Sequence, residues 1–301
     1  MLALVACAAA APERIAIVGG GLAGLATAIH LLDGGAHQRA PRVLHIYDPS
    51  APGCGGASAV AAGLLHPFTP RGREIWQGRE GFAASCALLA RCGGADGGVS
   101  ERTGLLRLAL DDAQAEMLRA AADGEVPDRE AGGEALTEGE DALEQHWRSA
   151  EQAARQATGS NVAGAAAGAV GGAVSSGARG AVFAPNARSV DTPAYLRALW
   201  ALCEAQAAAA GVEARWCTRH VGALAELQAP QPPQPPTADL PADLPADLQG
   251  AVAGGPYDAI IVATGSRAVD IAELRGLASV LLGFGLGLGL GLGLGLGLGS
   301  G

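Results

Sequence analysis

Residues 15–32 read IAIVGGGLAGLATAIHLL, in which Ile15-Ala16-Ile17-Val18 runs straight into three glycines and an apolar segment from Leu22 to Leu32 follows. Asp33-Gly34-Gly35 then stops it. A short β-branched run, a glycine turn and a longer apolar segment predict strand, tight turn and helix. After a polar, basic loop through Arg42, Val43-Leu44-His45-Ile46-Tyr47 predicts a second strand, which ends at Asp48-Pro49. Two strands joined through a helix cross over right-handedly and share one parallel sheet.

The glycines fall at Gly19-x-Gly21-x-x-Gly24, between the first strand and its helix. Gly19 makes the turn, Gly21 lets the backbone approach a pyrophosphate, and Gly24 packs the helix closely on the strand, with Ala23 also counted among the cofactor-binding residues. The helix N-terminus offers unpaired N–H groups and partial positive charge to that diphosphate. Asp48 ends the second strand roughly 20 residues further on, where a carboxylate binds ribose hydroxyls. An Ala- and Gly-rich chain can produce this spacing by chance, but not readily with its strand, helix and carboxylate in place. The stretch therefore reads as a Rossmann-type dinucleotide-binding unit. NADP is disfavoured, because no arginine closely follows Asp48 and a carboxylate there repels a 2′-phosphate.

The rest of the composition narrows the partners. The chain has 301 residues and a net charge of −10, which opposes binding to a phosphate backbone and excludes a nucleic-acid partner. Its six cysteines form no CxxC pair, and its six histidines are too scattered for a local metal motif, so no metal is expected. No unbroken apolar run reaches the roughly 20 residues of a membrane span, so no membrane partner is expected and the protein reads as soluble and intracellular, in the cytoplasm or an organelle. Leu2 to Ala11 lacks a basic start and is read as a leader.

Further along, Trp76 to Cys92 has helical spacing, Gly104 to Leu110 reads as a strand, and Asp111-Asp112 can cap a helix reaching Ala122. Pattern is lost over 123–180. It returns at Val182-Phe183, and Asp191-Thr192-Pro193 opens a helix of about Ala194 to Ala210. Strands are expected at Val212 to Trp216 and around Val221 to Leu224, and a buried one at Tyr257 to Gly265. Gly285 to Gly299 alternates strictly Gly and Leu, which offers no unique register and is excluded from fold reasoning.

Four stretches carry a resemblance: IAIVGGGLAGLATAIHLL, GGASAVAAGLLHP, TGLLRLALDDAQAEML with VDTPAYLRALWALCE, and YDAIIVATG. Together they resemble the FAD-dependent oxidoreductases of the D-amino-acid-oxidase (DAO) type, a group that includes glycine and sarcosine oxidases. The resemblance implies FAD as cofactor, with Ala57 and Ser58 at its phosphates and Gly63 and Leu64, after Ala62, close to the flavin ring. It also implies that the main chain of Val221 holds adenine and that Thr264 and Gly265 return beneath the pyrophosphate. His66 is a candidate for contact with substrate or flavin, though it reads more readily as structural, and Arg71 and Arg73 are candidates to receive a carboxylate, though surface arginines need no such purpose. Cys54, between Gly53 and Gly55, is a candidate redox-active thiol but reads more readily as just a small residue, and no catalytic acid or base is nominated.

The fold class expected is α/β, with a Rossmann-type FAD-binding domain interleaved with a smaller mixed-sheet substrate domain and an incomplete C-terminus. The division expected is a disordered leader at 1–12, the FAD-binding part at 13–98, a substrate-domain part at 99–157 and an Ala/Gly-rich insertion at 158–180. A return to the FAD domain at 181–228 follows, then a Pro-rich linker at 229–254, an FAD-domain strand at 255–276 and a low-complexity Gly-Leu tail at 277–301. The resemblance implies a flavoprotein oxidoreductase that oxidises a small amine or amino acid by hydride transfer to flavin N5, with electrons passing to an acceptor such as O2. Two alternatives stand beside it: a truncated or non-catalytic FAD-binding remnant, and an NAD-dependent dehydrogenase. No catalytic His or Tyr/Lys constellation follows the glycine turn to support the latter.

Overall fold

Ile15, Ala16, Ile17 and Val18 are all buried, as a strand covered on both faces must be. They belong to a computed structural model that describes residues 3–6, 14–34, 41–93, 98–123, 145–149, 152–153, 155, 177–228, 256–265 and 270–274. Two compact units result, Met1–Ala59 with Leu199–Gly301, and Val60–Ala198. Most of the expected leader, the insertion, the linker and the Gly-Leu tail lie outside the described residues.

The first unit opens with β1 (Ala3–Ala6), β2 (Arg14–Val18), α1 (Leu22–Leu32), β3 (Val43–Asp48) and the short α2 (Gly56–Ala59). The second contains β4 (Leu64–Leu65), α3 (Gly78–Arg91), β5 (Ser100–Glu101), β6 (Leu105–Ala109), α4 (Asp112–Ala122), β7 (His146–Arg148), β8 (Gly180–Ala184) and β9 (Arg188–Val190). Helix α5 (Thr192–Ala210) begins in the second unit and ends in the first. The first unit then resumes with β10 (Glu213–Thr218), α6 (Ala225–Gln228), β11 (Ala259–Val262) and a 3-10 turn at Ala272–Leu274.

In the first unit five strands form one sheet in the order β1-β11-β2-β3-β10. The last four are mutually parallel, with Ile15 beside Leu44 and Ala259, and Trp216 beside Ile46. This is the expected α/β class with a parallel sheet. Strand β1 runs antiparallel to β11, pairing Ala3 with Val262, so residues 3–6 of the expected disordered leader form an edge strand.

Strand alternation divides the core between two faces. Ala16, Val18, Tyr47, Ile260 and Val262 cluster with Val221, Leu224, Leu227 and Ile271 on one. On the other, Gln206 of α5 donates to Asp33 Oδ1 at the end of α1 (2.7 Å), and Trp200 stacks edge-on against Trp216. Helices α1 and α5 are thus neighbours there.

A polar chain crosses the first of these faces. Tyr47 OH lies 2.7 Å from Tyr257 OH, which bonds His45 Nδ1, while His45 Nε2 lies 3.3 Å from Glu213 Oε1. Every partner is satisfied when His45 Nε2–H donates to the carboxylate and Tyr257 O–H donates to Nδ1. Burial raises the pKa of both tyrosines, and Arg219 and Arg14 lie over their rings.

The second unit is built of two antiparallel three-stranded sheets, β4-β9-β5 and β6-β8-β7. Ala115 and Leu118 of α4 pack on Ala109 and Val182. Asp111 caps α4 by accepting Gln114 N–H at 2.7 Å, and Gln114 Oε1 accepts the N–H of Leu110, the residue before the cap. Asp191 caps α5 in the same way through Ala194 N–H (2.9 Å).

Two local expectations are corrected. Val221 to Leu224 is not a strand: Glu226 Oε1 accepts the N–H groups of Gly222 and Ala223, and Glu273 those of Leu224 and Ala225. With four successive N–H groups taken by carboxylates, no strand ladder is needed and the chain turns into α6. Within the patternless 123–180, His146–Arg148 forms β7 because it finds a partner in β8, distant in sequence.

Candidate functional site

The site begins where β2 ends. Gly19 has φ +109°, and a Cβ there would lie 2.5 Å from the carbonyl oxygen of Ala263. Glycine is required by both the conformation and the space. Gly19 N–H donates to Tyr47 O at 2.8 Å, so the turn is pinned between the ends of β3 and β11. A Cβ on Gly24 would stand 1.9 Å from Gly19 O, which is the close helix–turn packing expected of the third glycine.

Helix α1 starts at Gly21 with no side-chain cap and no acidic residue in its first turn. Its partial positive charge is therefore unopposed by its own first turn, an arrangement suited to an anion. Ser58 stands beside it: Leu22 N–H points at Ser58 Oγ (3.3 Å), and a Cβ on Gly21 would lie 2.9 Å from the same oxygen.

Asp48 ends β3 with both carboxylate oxygens engaged by backbone. Oδ2 accepts Gly20 N–H and Oδ1 accepts Ser50 N–H, each at 2.9 Å. A carboxylate has about four acceptor sites, so each oxygen retains capacity for a hydroxyl donor.

These segments enclose a cleft of about 220 Å³ that lies wholly within the first unit. Of the expected residues, Gly19, Gly21, Ala23, Asp48, Ala57, Ser58, Val221, Thr264 and Gly265 line it. Gly24 is behind the turn. Gly63 and Leu64 belong to the second unit, where Gly63 O accepts Val190 N–H at 2.7 Å and a Cβ on Gly63 would lie 1.9 Å from Val190 O.

Sequence reasoning did not single out Tyr47, Arg219 or His220, which also line the cleft. Arg219 N–H donates to Asp48 O at 3.0 Å. The signal available was position: ligands of parallel α/β sheets gather beyond the carboxyl ends of the strands, and residues 219–221 follow β10 there.

Thr264 lines the cleft, and its Oγ1 is buried with no hydrogen-bond partner. An orphaned hydroxyl, a helix N-terminus whose N-cap residue is a glycine without a side chain, and a carboxylate with spare lone pairs fit the ribose and diphosphate of a dinucleotide.

Among the other candidates, His66 accepts Phe68 N–H at Nδ1 (3.2 Å), and burial, with Arg107 nearby, lowers its pKa below the ordinary histidine value. It is neutral at pH 7. Arg71, Arg73 and Cys54 are exposed, and the five described cysteines are free thiols. No His/Cys/Asp/Glu group among the described residues could hold a metal, and no described helix is long and apolar enough to cross a membrane.

A family described as FAD dependent oxidoreductase, DAO, matches residues 14–282. No curated protein matches by sequence. Among solved structures, glycine oxidase from Bacillus cereus aligns at 20% identity over 68% of this chain and 46% of its own, with a TM-score of 0.42. L-amino acid deaminase from Proteus myxofaciens aligns at 15% identity over 71% of this chain and 43% of its own (TM-score 0.47). L-α-glycerophosphate oxidase from Mycoplasma pneumoniae, solved with FAD bound, aligns at 14% identity over 69% and 45% (TM-score 0.41). The chain thus spans less than half the length of each of these proteins.

Proposed function

The chain belongs to the family of FAD-dependent oxidoreductases, and we propose that the cleft of its first unit holds the ADP half of FAD. The observation that carries this is the convergence on one cleft of the glycine turn, the Asp48 carboxylate and the unpartnered Thr264 hydroxyl. Asp48 binds the ribose hydroxyls of the adenosine while its bonds to Gly20 and Ser50 hold it still. The N-terminus of α1 and Ser58 receive the diphosphate, Thr264 donates its hydroxyl from beside the glycine turn, and the main chain of Val221 meets the adenine. The assignment of Gly63 and Leu64 to the flavin rests on the resemblance of residues 55–67 alone.

The reaction proposed is oxidation of a small amine or amino acid, with electrons passing to an acceptor such as dioxygen. When bound, FAD supplies the ring that accepts a hydride from the substrate carbon. The chain's own part is to bind and orient, and no side chain is assigned an acid or base role. Amine substrates are supported by the resemblance of residues 55–67, 103–118 and 190–204 to glycine- and sarcosine-oxidase-type sequences.

Anaerobic addition of glycine, sarcosine, proline and D-amino acids to FAD-loaded protein tests the reaction. Bleaching of the flavin band by one of them is expected. Bleaching by none of them, with FAD firmly bound, would favour a non-catalytic FAD-binding protein.

A further inference from the structure

The middle residue of the glycine turn, Gly20, is a position that the dinucleotide fingerprint leaves open. Here it has no freedom. A Cβ on Gly20 would lie 2.0 Å from Trp216 Cη2, 2.7 Å from Cζ2 and 2.9 Å from Cζ3, so the six-membered ring of the indole occupies that space. Trp216 comes from β10, which pairs with β3 and not with β2, so the side chain reaches past β3 to the turn. Its other end is also fixed: Nε1–H donates to Ser50 O at 3.0 Å, and Trp200 packs edge-on against the ring with centroids 5.3 Å apart.

One rigid side chain therefore spans two walls of the cleft. Gly20 N–H and Ser50 N–H are the two donors that hold the Asp48 carboxylate. Trp216 touches the first residue through van der Waals contact and the second through a hydrogen bond, and it does so without lining the cleft itself.

We infer that Trp216 is a positioning residue for the adenosine end of the cofactor, acting as a strut that sets the glycine turn and the Asp48–Ser50 loop at the spacing the ADP group requires. This rests on the dinucleotide reading of the cleft. The identity of Gly20 follows from the strut and not from the ligand.

The test is a mutant cycle on the full chain, titrated with ADP and with FAD at a temperature where circular dichroism shows every variant folded. Trp216→Phe is too short to reach both Gly20 and Ser50. It is expected to weaken ADP and FAD by the same factor, roughly three- to tenfold for one lost hydrogen bond and its packing. Gly20→Ala should also weaken both, because its methyl collides with the indole. The double variant Gly20→Ala/Trp216→Phe should bind more tightly than Gly20→Ala alone, since the collision is gone, an outcome that general destabilisation would not give.

Wild-type affinity in Trp216→Phe, or multiplied losses in the double variant, would overturn the strut while leaving the dinucleotide site standing. If Trp216→Phe does not fold, Gly20→Ala decides: wild-type ADP affinity there overturns the proposal and weakened affinity with the fold retained supports it. Failure of the wild-type protein to bind either ADP or FAD would remove the dinucleotide reading, and the strut with it.

Discussion

Asp48 Oδ2 accepts the backbone N–H of Gly20 at 2.9 Å, tying the carboxylate at the end of the second parallel strand to the glycine turn at the end of the first. The bond places acceptor and turn on the same side of the cleft before any ligand arrives. Replacing Asp48 by Ala removes charge-assisted hydrogen bonds worth about 1.5–3 kcal/mol and should weaken FAD and AMP binding roughly ten- to a hundredfold. Titration of the apo-protein checks it, and equal affinity in Asp48→Ala would mean that the ribose is bound elsewhere.

Thr264 offers a test in which stability and binding move in opposite directions. Its Oγ1 is buried and unpaired, so Thr264→Val removes an unsatisfied polar atom from the apo-protein and should leave its Tm unchanged or higher. The same substitution removes a donor to the cofactor and should lower FAD affinity roughly three- to tenfold. Thermal melts without and with FAD read both effects, and a fall in apo-protein Tm would show that the hydroxyl already has a partner.

The strand–turn–helix, its glycines and Asp48 were legible because each is fixed by local chemistry over adjacent residues. Trp216 was not, because its partners Gly20 and Ser50 are remote in sequence and are brought to it only by the order β2-β3-β10. Val221 lines the cleft but does not lie in the expected strand, since the carboxylates that cap Gly222 to Ala225 come partly from Glu273, far along the chain. Strands β1, β4, β5, β7 and β9 were missed because a strand of two to four residues carries no period of its own.

Acid stability follows from three groups of the same sign. The hydrogen bond from His45 lowers the pKa of Glu213, and the N–H groups of Leu224 and Ala225 lower that of Glu273. Both carboxylates bind protons more readily when unfolded, so their stabilisation is present above the ordinary glutamate pKa of about 4.3 and is lost as pH falls below it. His66, held neutral by burial, adds a loss that begins as pH drops below about 6.5, where the unfolded chain protonates first. Tm should therefore decline in two stages from pH 7 to pH 3. Glu273→Gln should flatten the lower stage, and an unchanged lower stage in that variant would contradict the assignment.

The cysteines should react in order of burial and pKa. Burial and the neighbouring Glu204 push the Cys203 thiol up to about 12, and it is fully buried, whereas Cys54 is exposed beside the phosphate-side loop. A maleimide reagent should label Cys54 in the native protein and reach Cys203 only on unfolding. Peptide mapping checks the order, and native labelling of Cys203 would contradict the packing of α5.

The central claim is that the cleft of the first unit binds FAD through its diphosphate at the glycine turn. The most direct measurement is extraction and chromatography of the nucleotide retained by purified wild-type protein and by Gly21→Val after loading with a mixture of FAD and FMN. A Cβ added at Gly21 would lie 2.9 Å from Ser58 Oγ, and valine would fill the space between the turn and that hydroxyl. FAD is expected in the wild type, with little or no FMN because FMN has no adenosine ribose for Asp48 to bind, and FAD is expected to be lost in Gly21→Val. Retention of FMN alone, or FAD bound equally by Gly21→Val, would contradict FAD binding through the glycine turn.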